Sequence, residues 1–156
     1  MSNMVNNKDF DERQILARGK GFQIGFFVSL GMIIGDLAAE DFLSGDGVIG
    51  INVYSRAMLC IWIPIVVVSV YFILNDAYEK INETGGKFLM GVFVFVGLFE
   101  IIATVIRVVS GHTTFIENNI IGDALGQICV GTAMLFISAV YFIKRALNKK
   151  AFGNEE

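Results

Sequence analysis

Four long apolar stretches constrain this chain more than any other feature. They cover residues 21–39, 57–74, 88–109 and 120–143 and are 19, 18, 22 and 24 residues long. At ~1.5 Å rise per residue each makes a helix about 27–36 Å long, close to the ~30 Å hydrocarbon thickness of a bilayer. Lipid offers no partner for exposed N–H and C=O groups, so the stretches are expected to be helical. A transmembrane β-barrel would need period-two alternation, and the run Ile61-Trp62-Ile63-Pro64-Ile65-Val66-Val67-Val68 has none. A water-soluble bundle would need a polar stripe on every helix, which the second stretch lacks. Composition agrees: 54% of residues are hydrophobic and 17% charged, where soluble domains carry about 25% charged residues. The net charge of −3 excludes a strongly basic nucleic-acid binder, and two cysteines cannot build a disulfide scaffold. The expected fold is an all-α integral membrane protein, a four-helix transmembrane bundle.

Lys and Arg partition sharply between the connecting segments. Residues 1–20 carry Lys8, Arg13, Arg18 and Lys20, the connector 75–87 carries Lys80 and Lys87, and the tail 144–156 carries Lys144, Arg145, Lys149 and Lys150. These are ten of the twelve basic residues; only Arg56 and Arg107 fall at the other side. The positive-inside rule then predicts an N-in/C-in protein. In that topology residues 1–20 form a cytoplasmic arm, 144–156 a basic cytoplasmic tail, and the connectors 40–55 and 111–119 face outward. Leu37-Ala38-Ala39 resembles a weak signal-peptide cleavage site, but Asp36 interrupts the apolar run, so a retained span is expected. Asp9 with Glu12 three residues on predicts a capped helix start, either for a surface helix or one leading straight into the first span.

At ~100° per residue the spans have readable faces. Gly21, Gly25, Gly31 and Gly35 share one arc of the first span with Ser29 and Asp36 nearby, which predicts close packing on a neighbouring helix. Gly97, Glu100, Thr104 and Arg107 share an arc of the third, and Asp123, Gln127, Gly131, Met134 and Ser138 an arc of the fourth. These faces should turn inward, leaving Val, Ile and Phe to lipid. Pro64 removes one hydrogen bond from the second helix and predicts a kink. Ile33-Ile34-Gly35-Asp36 recurs as Ile120-Ile121-Gly122-Asp123, which places two carboxylates at similar depth.

Five charged residues thus lie in or beside the spans: Asp36, Arg56, Glu100, Arg107 and Asp123. A charge at the bilayer centre costs about 2.5–3.5 kcal/mol, so partners are expected. Together with Thr104 and Gln127 these residues are the candidate ligand- or ion-binding set. Fully ionised, the five charges sum to −1, which leaves room for a proton, a cation or a cationic ligand. A salt-bridge network that only sets helix register fits the same residues. His112 lies just outside the third span, and a metal site there would need Asp36, Asp123 or Glu117 beside it. No metal site and no cofactor are expected. The motifs G-x-S-x-G, H-E-x-x-H, C-x-x-C and the P-loop are absent. Cys60 and Cys129 read as packing residues.

The run Asp11-Glu12-Arg13-Gln14-Ile15-Leu16-Ala17-Arg18-Gly19-Lys20 before the first span resembles a class of small bacterial four-span membrane proteins with an Asp-Glu-Arg motif at the cytoplasmic edge. That resemblance implies the same layout and carries no activity with it. The four-span architecture is also similar to small multidrug transporters, which are shorter and place a membrane glutamate in the first span, where this chain has Asp36. The leading expectation is a non-enzymatic binding, regulatory or immunity-type module of the cytoplasmic membrane, with an outward-facing polar cluster that meets a small ligand from the outer side. Its expected partners are the lipid bilayer and a second copy or another membrane protein, with no nucleic acid. The alternative is a small transporter or transporter subunit with Glu100 as the protonatable coupling residue.

Overall fold

A computed structural model describes residues 11–43, 50–78, 85–117 and 120–152. Four helices dominate: α1 (Glu12–Leu43), α2 (Val53–Leu74), α3 (Gly85–Val109) and α4 (Asp123–Phe152). All four are long and apolar enough to cross a membrane. Three two-residue strands, β1 (Gly50–Ile51), β2 (Ile116–Glu117) and β3 (Ile120–Ile121), join two of the connectors.

The first helix begins at Glu12 rather than three residues ahead of it. Asp11 is its N-cap: the Ile15 amide donates to the Asp11 carbonyl at 3.1 Å, and the Asp11 amide donates to Gln14 Oε1 at 3.2 Å. This is the backward half of a capping box, set two residues later than the sequence suggests. Asp9 lies outside the described residues. From Glu12 the helix continues without a break into the first span. The second helix is capped by Asn52, whose Oδ1 accepts from the Ser55 amide at 2.8 Å, and it passes through Pro64 as one continuous helix.

Helix packing follows the order α1-α2-α4-α3, so α1 and α3 stand at the ends of a row. Glycines set the crossings. A Cβ on Gly97 would stand 2.8 Å from the Gly131 carbonyl oxygen, and one on Gly131 the same distance from that of Gly97, so α3 and α4 cross backbone to backbone there. Gly126 gives Ser55 and Tyr54 of α2 the same access to α4. On α1 the predicted glycine face divides in two. Gly21 packs against Phe72 and Tyr71, and Gly25 against Val68, whereas Gly31 and Gly35 meet nothing within 4 Å. α1 has α2 as its main neighbour, and Gly31 and Gly35 lie away from that contact.

The helices are tied together at the end that holds the first residues of α1 and the last of α4. Gln14 Nε2 donates to the Asp76 carbonyl at 2.6 Å, Arg18 Nε to the Ala77 carbonyl at 2.8 Å, and Lys144 Nζ to the Leu74 carbonyl at 3.1 Å. Donors from α1 and α4 thus satisfy the carbonyls at and after the end of α2, where the helix dipole is negative. Just beneath, Ile73, Met90, Ile137 and Tyr141 form the buried apolar core, with Val66, Tyr78, Phe93 and Val140 packed around it.

At the opposite end β3 pairs parallel with β1 and antiparallel with β2. Ile120 and Ile121, read from the sequence as the start of the fourth span, are therefore strand residues, and α4 starts at Asp123. Two β-branched residues with a strand available on each side fit the ladder well. Gly122 ends the strand, and a Cβ there would overlap the Thr114 carbonyl oxygen.

Candidate functional site

The first turn of α2 is the hub of the sheet end. Asn52 is anchored by its amide, which donates to the Ile121 carbonyl at 3.0 Å, and by its capping bond to Ser55. Its Nδ2 then donates to Asp123 Oδ1 across to α4. Ser55, fully buried, donates to the Gly122 carbonyl at 2.8 Å and accepts from the Gly126 amide at 3.0 Å. Its hydroxyl is committed to joining α2 and α4. One turn beyond Asn52, Arg56 grips Asp36 of α1 with two bonds, Nε to Oδ1 at 2.6 Å and Nη2 to Oδ2 at 2.8 Å. A forked guanidinium–carboxylate pair of this kind fixes orientation as well as distance.

A cleft of about 500 Å³ opens beside this hub. Asn52, Ile120, Gly122 and Asp123 line it together with Gly111, His112, Thr113 and Thr114 of the α3–β2 connector. The way α3 ends explains why His112 is there. The His112 amide donates to the Arg107 carbonyl at 2.9 Å and the Gly111 amide to the Val108 carbonyl at 3.1 Å, with Gly111 at φ +72°. That pair of bonds is a Schellman motif, which requires the left-handed residue that glycine accepts without strain. It turns the chain sharply off α3 and sets His112 on the cleft wall. Asp123 supplies an exposed carboxylate, and an imidazole can donate or accept. The combination suits a small polar ligand that carries N–H donors.

The charged set predicted from the sequence does not form one cluster. It separates into one ion pair, a carboxylate held by Asn52, and two charges without partners among the described residues. Asp36 and Arg56 bridge α1 to α2 and line a second cleft of about 430 Å³ with Cys60. Asp123 meets Asn52. Thr104, buried on α3, bonds the Glu100 carbonyl at 2.8 Å and lies 3.1 Å from Gln127 Oε1 of α4. A hydroxyl has one hydrogen, so with the first bond made, the Gln127 amide satisfies both groups when its NH₂ faces Thr104. Glu100 is half-buried, and its carboxylate has no hydrogen-bond or ion-pair partner among the described residues. Arg107 is exposed and equally unpartnered among them. Of the shared α3 arc, Gly97 and Thr104 are buried, Glu100 is half-buried and Arg107 is exposed.

Asn52 and Ser55 were missed as site residues because the apolar run starts only at Ala57. The signal was present: Asn three residues ahead of Ser, before an apolar run, is a helix-start pattern. Among the described residues no three His, Cys, Asp or Glu come together as a metal site. No protein-family model, curated protein or solved structure matches the chain.

Proposed function

We propose that this chain is a multi-pass protein of a bacterial cytoplasmic membrane, with both termini and residues 75–87 inside, and that it acts as a non-enzymatic binding or regulatory module. In this reading it senses, or gives immunity to, a small compound or peptide that reaches its outward end. The cleft of about 500 Å³ between His112 and Asp123 carries the proposal. The ten-to-two partition of basic residues supports placing that end outward. An exposed carboxylate, an imidazole and two threonines in one concavity favour a ligand with ammonium or amide N–H groups. The test is thermal unfolding of the detergent-solubilised protein with a panel of small ammonium compounds and short peptides. At least one should raise the unfolding temperature of the wild type and lose that effect in Asp123→Asn and His112→Ala. A shift unchanged in both variants, or no shift with any compound, removes the cleft as the recognition site.

One observation favours a second reading, a small transporter coupled through Glu100: this carboxylate is half-buried in a span and unpartnered among the described residues. Charged groups within a span are rarely left without a partner, so a carried cation would suit it. Uptake of labelled cationic compounds into proteoliposomes, with and without a pH gradient, tests it. Transport lost in Glu100→Gln supports the reading, and gradient-independent behaviour of both proteins sinks it.

A further inference from the structure

The end of the row that gathers the start of α1 and the end of α4 carries more cations than the protein uses internally. Arg18 and Lys144 are tied to backbone carbonyls of the turn after α2, and Arg145 Nη1 donates to the Tyr141 hydroxyl at 2.9 Å. Lys20, Lys87, Lys149 and Lys150 are exposed and have no partner among the described residues.

Their heights along the helices are informative. Lys20 immediately precedes the apolar run that starts at Gly21, and Lys87 the one that starts at Phe88. Both stand at the edge of the hydrocarbon, on α1 and α3, the two outer helices of the row. Lys149 and Lys150 lie about 9–11 Å beyond Ile143 at ~1.5 Å per residue, within reach of the headgroup layer for a side chain that stretches back. The acids described at this end are placed otherwise. Asp76 lies 3.4 Å from Lys144 Nζ, and Asp11 and Glu12 sit on α1 about 12–14 Å before Lys20. At the depth of the phosphates, the unpaired charge on α1 and α3 is positive.

We propose that Lys20, Lys87, Lys149 and Lys150 are contact points for anionic phospholipid headgroups around this end of the row, with Lys20 and Lys87, on its two outer helices, as the principal ones. Lysines at the bilayer edge attract phosphate-bearing headgroups within about one Debye length. A purely structural role for the tail lysines, complementing the α4 dipole, would not extend to Lys20 and Lys87, which sit at or near helix starts or well inside α1.

The experiment reconstitutes the full chain in nanodiscs of zwitterionic lipid mixed with phosphatidylglycerol, then counts by native mass spectrometry the lipids retained after transfer to detergent. Retained lipid is expected to be enriched in phosphatidylglycerol about two- to fivefold over its bulk share at low salt. The enrichment should fall to near parity in Lys20→Gln/Lys87→Gln, and by a smaller factor in Lys149→Gln/Lys150→Gln. Both double variants should unfold at the wild-type temperature in zwitterionic nanodiscs, which shows that the loss is not misfolding. Wild-type enrichment near one, or full enrichment in Lys20→Gln/Lys87→Gln, overturns the proposal. So does retention of glycerol phosphate, added to zwitterionic nanodiscs, at the level found for phosphatidylglycerol, because the ligand would then be a soluble phosphate.

Discussion

The tetrapeptide Ile-Ile-Gly-Asp occurs twice, and its two copies fold differently. Residues 33–36 continue α1 as helix, whereas Ile120 and Ile121 form β3 and Asp123 opens α4. Gly35 has nothing within 4 Å of a would-be Cβ, while Gly122 is pressed against the Thr114 carbonyl. Yet the two aspartates do related work. Asp36 is held by Arg56 and Asp123 by Asn52, residues one turn apart at the start of α2. Context decides the conformation: the first copy follows more than five turns of established helix, where adding a residue is inexpensive. The second follows a connector whose neighbouring strands can pair with it on both sides. The shared carboxylate then locks a different helix to the same α2 turn in each case.

The largest effect should separate the two glycines. Gly122→Ala drives a methyl group into a backbone oxygen that cannot rotate away, which is expected to cost about 3 kcal/mol, the upper range for overpacking. Unfolding in detergent should show a clear drop in midpoint. A near-neutral result would mean that the β3–α4 junction is not held as tightly as the contact implies.

Next come the two aspartate locks. Arg56→Ala should cost about 1–3 kcal/mol, between the values for exposed and buried ion pairs, because the two side chains keep 22% and 30% of their exposure. The loss should appear as freer motion of α1 against α2, read by the distance between spin labels on the two helices. Unchanged distances and stability would reduce the pair to decoration.

Asn52→Ala removes a helix cap together with the bond to Asp123, and about 1–2 kcal/mol is the expected cost. Asn52→Asp should keep the cap but set two carboxylates against each other, so it should recover less than Asn52→Ser. If Asp recovers stability as well as Ser does, the Asn52–Asp123 contact is not formed.

The smallest effect belongs to the first copy. Gly35→Ala should leave the protein unchanged or stabilise it by up to about 1 kcal/mol, because alanine is the better helix former and the site is open. Destabilisation instead would show that something packs on the open face of α1, and cross-linking through a cysteine at that position would report whether it is a second copy.

Much of this was legible in the chain itself. Run length and hydropathy determine that there are four helices of membrane-spanning length, since lipid and backbone hydrogen bonding leave an apolar run of about 20 residues little other choice. Helical periodicity also singled out Gly97, Gly131 and Thr104 as inward positions, because small and polar groups sort away from lipid on a regular wheel. What tertiary structure decided is which helix each face meets. Periodicity gives a direction around one helix but not the identity of its neighbour, so the order α1-α2-α4-α3 was out of reach, and with it the scatter of the expected charge cluster over separate places. The three strands were hidden for a related reason. Each has two residues, too few for period-two alternation to register, and β3 forms only because chain segments some seventy residues apart bring strands to its edge. His112 belongs to the same class: its residue type is visible in the sequence, but its place in one cleft with Asp123 depends on the left-handed turn at Gly111 and on α4 standing where α2 holds it.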